Sequence, residues 1–188
     1  MDLTPEEVNG LNLAVNEASM LRVTTNRTAR IVEVELELVR PPLSGEAQAI
    51  SMGGRRFTLI LRSVGRIAFS YRLGKWDDRS AQTKELADES TITNIVASFG
   101  QMPIYGAKFF DVPEKDDFAQ WSDRLSLDVR WGEDGLKHTV DLFQEASDPS
   151  RHLDMRIWFD KLEIHESGGE RWDIDRFATL GEELWKEF

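Results

Sequence analysis

The stretch RIVEVELELV, residues 30–39, leaves the chain few local choices. Val32, Val34, Leu36 and Leu38 occupy one side of a two-residue period, and Glu33, Glu35 and Glu37 the other. Side chains alternate across a strand with that period, so the segment predicts a β-strand with one buried face and one wet face. The functional question it poses is what the three glutamates meet: solvent, a basic neighbour or a partner molecule.

A sequence of opposite charge follows. In RRFTLILRSVGRIAFSYRLG, residues 55–74, Phe57, Leu59 and Leu61 alternate with Arg56, Thr58, Ile60 and Arg62. Beyond SVGR, Ile67, Phe69, Tyr71 and Leu73 alternate with Arg66, Ala68, Ser70 and Arg72. This predicts a hairpin with an arginine-bearing outer face. Residues 1–50 carry a net −4, residues 51–75 carry +6, and the remainder −13. Three readings stay open. The glutamates pair across strands with Arg56, Arg62, Arg66 or Arg72, each pair contributing roughly 0.2–1 kcal/mol. Alternatively, the arginines form a strip for an anion, which the planar guanidinium fork suits. In the third reading Glu33, Glu35 and Glu37 face a basic protein steered in by charge.

Elsewhere the chain alternates helix and strand signals. Thr4, Pro5 and Glu7 form a capping box with proline at the first helical position, and Val8, Leu11, Val15 and Ala18 continue at helical spacing, predicting a helix over 5–20. Pro41 and Pro42 end the glutamate strand, and residues 43–54 read as a loop. A short helix is expected over 80–88, then strands over 92–99 and 104–110. Leu125, Leu127, Val129 and Trp131 predict a strand that turns at GEDG into a return strand over 136–144. Leu153, Met155, Ile157 and Phe159 form another stripe, but Leu162 and Ile164 have the opposite parity, so a bulge or sharp bend is expected near Asp160 and Lys161. Ile174, Phe177, Leu180, Leu184 and Trp185 predict a final helix; a second reading starts it at Thr179.

Composition removes several function classes. With 34 acids, 23 bases and a pI near 4.8, the average surface repels nucleic acid and anionic membrane. The lack of cysteine removes disulfides, thiolate metal sites and a cysteine nucleophile. His138, His152 and His165 lack metal-site spacing, and neither HExxH, GxGxxG, Walker A nor GxSxG occurs, so no metal and no cofactor are expected. Asp111, Glu114, Asp116 and Asp117 crowd one acidic stretch without EF-hand spacing and read as a solvated loop or a docking surface for a basic partner. The opening MDLTPEEVNG has no basic region before an apolar run, and nowhere do 18 apolar residues run together, which predicts a cytoplasmic chain.

Together these patterns predict one α+β domain over residues 1–188, a large antiparallel sheet, curved or partly closed, packed by N- and C-terminal helices. Trp158 lies on the opposite parity to the Met155 stripe, and on an uncovered face it would anchor an interface or a ligand. The expected function is binding another, basic protein without catalysis. The alternative is a curved sheet enclosing a small ligand, as carrier or as enzyme, and self-association through a strand edge or Trp158 is allowed.

Overall fold

A computed structural model describes residues 3–40, 50–75, 77–78, 82–100, 102–111 and 122–186, with only the backbone of residues 39, 40, 50–53, 111 and 122. Among these residues two antiparallel sheets and three α-helices build the α+β fold. The first sheet has the order β1 (Ser19–Asn26), β2 (Ile31–Arg40), β3 (Ile50–Arg62), β10 (Lys161–Glu166), β11 (Arg171–Trp172). In the second, β5 (Thr83–Lys84) and β7 (Leu127–Arg130) share one edge of β4 (Arg66–Leu73), whose other edge is followed by β9 (Ser150–Phe159), β8 (His138–Ser147) and β6 (Ile104–Asp111). Among the described residues, no helix is long and apolar enough to cross a membrane.

The curvature comes from strands that pass between the sheets. β3 pairs with β10 (Leu59 opposite Ile164) and β4 pairs with β9 (Ile67 opposite Ile157), so two neighbouring strands turn the corner together. At the bend the Asp160 N–H donates to the Arg62 carbonyl at 3.1 Å and the Gly65 N–H to the Trp158 carbonyl at 3.0 Å. The expected hairpin between residues 55–62 and 66–73 is therefore corrected: β3 and β4 belong to different sheets. Val64 is fully buried at the corner, and the Arg30 Nε–H holds its carbonyl at 2.9 Å, so the SVG segment crosses the core instead of reversing. The parity change at Asp160 and Lys161 is the matching bend, where β9 leaves one sheet and β10 joins the other. At a second contact, Ser19 bridges Pro103 and the Ile104 N–H donates to the Ala18 carbonyl at 2.9 Å. Corners of this kind let two sheets share one interior.

The inward faces of both sheets pack into one apolar interior. One apolar cluster includes Val34 and Leu59 of the first sheet, Ile67 and Met155 of the second, and residues of α1 (Pro5–Val15), α2 (Ile92–Ser98) and α3 (Ile174–Trp185). Phe57 makes edge contacts at 5.0 Å with both Trp172 and Phe177. Helices α1 and α3 cross where Gly10 faces Ala178 and Gly181 faces Ala14; a Cβ on Gly10 would lie 2.4 Å from the Ala178 Cβ. The helix-weakening glycine in α1 is thus what permits this close approach.

Several local expectations are corrected. α1 keeps its capping box, with Thr4 and Glu7 bonded reciprocally at 2.6 and 3.1 Å, but stops at Val15, because Asn16 turns extended and Ala18 enters the corner with β6. Residues 92–98 form a helix rather than a strand; Asp88 accepts N–H groups from Ser90 and Thr91, setting the turn from which Ile92 and Val96 pack inward. No helix covers the described part of 80–88, where Thr83–Lys84 adds to β4 instead. β7 also pairs with β4 rather than with β8, since the Trp131 N–H is drawn to the Gly65 carbonyl at 2.8 Å. β3 begins at Ile50, inside the stretch expected as a loop, because its register with β2 extends to Val39 and Arg40. Thr179 lies within α3 and starts nothing. Pro41 and Pro42 lie outside the described residues.

Candidate functional site

Inward positions on both sheets feed the core, so each sheet turns a polar face outward, and the described strand-borne candidates lie on these faces. On the first sheet the register sets Glu37 opposite Arg56, Glu35 opposite Thr58 and Glu33 opposite Ile60. Among the described residues, Arg56 is the one of the four arginines that pairs with a glutamate of β2, its Nε–H donating to Glu37 at 3.1 Å. Arg62 turns the other way and donates to Glu163 on β10 at 2.7 Å, which holds the Glu163 carboxyl below the usual range. On the opposite side β1 places Arg22 beside Glu35 and Thr24 beside Glu33.

Glu33 and Glu35 are left with capacity. Glu33 accepts a hydroxyl bond from Thr24 at 3.2 Å, and neither carboxylate forms an ion pair among the described residues. Arg22, Thr24, Glu33, Glu35 and Thr58 surround a shallow recess of about 60 Å³. Its two acids and two hydroxyls offer acceptors to a cation entering from solvent. Arg22 at the rim sets a limit, since its own charge opposes any second cation.

The outer face of the second sheet is built differently. Arg66 and Asp128 form a two-pronged pair with both bonds at 2.7 Å, and Arg156 and Asp141 another at 2.5 Å. Arg72 donates to Asp154 and, at 3.2 Å, to Gln82, which Arg124 also binds at 2.7 Å. Trp158 lies between two guanidinium groups, Arg66 at 4.7 Å and Arg156 at 5.7 Å from its ring, and is 8% exposed. A clamped, buried indole presents no open anchor. Beside it, burial pushes the Asp154 carboxyl up while Arg72 opposes that shift, and burial followed by the Arg72 charge brings the His152 pKa down to about 4.

The four arginines thus divide between two faces, Arg56 and Arg62 on one, Arg66 and Arg72 on the other, each engaged by an acid; they do not make a common anion strip. Asp111 ends β6, and its side chain together with Glu114, Asp116 and Asp117 lies outside the described residues. Among the described residues no three His, Asp or Glu side chains converge to hold a metal ion. Arg22, Thr24 and Thr58 were missed as members of the recess. The available signal was the alternation in LRVTTN, which sends Arg22 and Thr24 to one side and Val23 to the other.

No protein-family model matches the chain, and comparison with the curated proteins and with the solved structures finds no match either.

Proposed function

We propose that the chain is a cytoplasmic protein-binding module, without catalysis of its own, whose partner is a basic protein seated on the outer face of the first sheet. The observation that carries this reading is the recess between Glu33 and Glu35, two carboxylates on one outward-facing strand that form no ion pair among the described residues, with Arg22 at the rim. Its volume of about 60 Å³ suits the tip of one lysine or arginine, since a water takes roughly 30 Å³. Paired Glu37–Arg56 and Glu163–Arg62 beside it offer a fixed pattern of alternating charge that a partner can complement. Such complementarity contributes mainly to association rate and selectivity. The net charge of −11 adds long-range attraction for a basic surface.

The shared apolar cluster supports this reading over an enclosed ligand chamber, because among the described residues the inward faces of both sheets pack against each other and against the helices. The test is recovery of the tagged chain from its own source under gentle conditions, followed by native mass spectrometry. A second protein of basic composition should be retained by the wild type and lost from Glu33→Gln/Glu35→Gln, and its affinity should fall steeply with salt. Retention unchanged in the double variant overturns the proposed surface.

A further inference from the structure

A groove opens where Leu3, just ahead of α1, the start of β10 and the N-terminus of α3 meet. Its floor is apolar, formed by Leu3, Phe159, Leu162 and Ile174, and its volume is about 180 Å³. Lys161 and Arg171 stand at its rim, and buried His138 closes one wall with its ring 5.6 Å from that of Phe159.

Charge in this groove is unevenly committed. Both acids that line it already serve other donors: Glu163 accepts from Arg62 at 2.7 Å, and Asp160 accepts the Lys137 N–H at 3.3 Å. Neither Lys161 nor Arg171 has an ion-pair partner among the described residues; Arg171 reaches Glu163 only through longer-range attraction. Two cations with spare capacity therefore overhang an apolar floor in a chain of strongly acidic composition.

We propose that this groove binds a small amphipathic monocarboxylate of about the size of an arylacetate. A cavity of about 150 Å³ with aliphatic and aromatic walls accommodates benzene, so the floor here has room for one ring or a short aliphatic chain. The carboxylate then lies at the rim, where Lys161 and Arg171 donate to it. The first residue of α3, Ile174, is also part of the floor, so the N-terminal end of that helix borders the groove. Specificity for a single negative charge comes from next door. The adjoining hollow, which shares Leu162, Glu163, Arg171 and Ile174, is lined by Asp173, Asp175 and Glu7, and these repel a phosphate or a dicarboxylate.

Phenylacetate is the probe, followed by amide chemical shifts and by calorimetry on the full chain, with phenylacetamide as its uncharged counterpart. Expected are saturable shifts centred on Leu3, His138 and residues 159–163 and 171–174, with affinity in about the millimolar range for a ligand of this size. The amide, and the Lys161→Gln/Arg171→Gln variant with phenylacetate, should each bind about tenfold more weakly. Both substituted side chains are exposed, and the amide comparison needs no variant. Absence of saturation, shifts centred elsewhere, or equal binding of acid and amide would each overturn the proposal.

Discussion

The Asn12 side-chain carbonyl accepts the Phe109 N–H at 2.7 Å, and one helical turn later Asn16 accepts the Ala107 N–H at 2.8 Å. Asn12 of α1 and its C-cap Asn16 thereby take up two outward N–H groups of β6, the edge strand of the second sheet. An open row of such donors is a template for strand addition by another chain. At the far edge of the first sheet, Thr93 of α2 likewise donates its hydroxyl to the Val23 carbonyl at 2.6 Å. Asn12→Ala/Asn16→Ala should leave two buried donors unmet, at about 1–3 kcal/mol each, and expose β6 to pairing. Urea unfolding checks the first effect and light scattering the second; a variant as stable and as monodisperse as the wild type refutes the edge-capping role.

Gly10→Ala should destabilise, although alanine favours a helix by about 1 kcal/mol over glycine. The added methyl meets Ala178 at 2.4 Å, and such overpacking costs about 1–3 kcal/mol. Adding Ala178→Gly should recover part of the loss. If thermal denaturation shows the single variant to be more stable, the close helix crossing is wrong.

Arg156 is 4% exposed and its guanidinium is held by Asp141 through two hydrogen bonds. Asp141→Leu should cost about 3–5 kcal/mol by removing that two-pronged partner from a buried charge, whereas Asp141→Leu/Arg156→Met should cost less. A double-mutant cycle by chemical denaturation measures the difference. Equal losses in the single and double variants would show that packing, rather than the ion pair, sets the cost.

His152 is 1% exposed, and burial first, the Arg72 charge second, hold its pKa at about 4 against an ordinary 6.5. The unfolded chain takes up a proton near 6.5 that the folded chain refuses until about 4. This contribution to stability is therefore complete above pH 6.5 and declines as pH falls, by about 1.4 kcal/mol at pH 5.5 and about 3 kcal/mol below 4. Urea midpoints at pH 7.5 and 5.5 should differ less in His152→Gln than in the wild type. An identical pH dependence in the two proteins would place the proton uptake elsewhere.

What the sequence determined by itself was the inward and outward parity of most strands. Val34 and Leu36 went inward and Glu33 and Glu35 outward, as did Ile67 and Met155 against Arg66 and Asp154, because alternation is a property of one strand's backbone and needs no partner. The capping box of α1 was legible for the same reason, being closed within four residues. Only the tertiary structure decided which strands adjoin. Arg56 found the glutamate strand, while Arg62, Arg66 and Arg72 found Glu163, Asp128 and Asp154, distant in sequence. The β-branched residues of α2 similarly read as a strand until a turn at Asp88 and the flank of β1 made a helix of them. An apolar stripe states that a face is buried without stating against what. The recess at Glu33 and the groove under Lys161 arise from that choice of neighbours, made collectively as two sheets and three helices fill one interior.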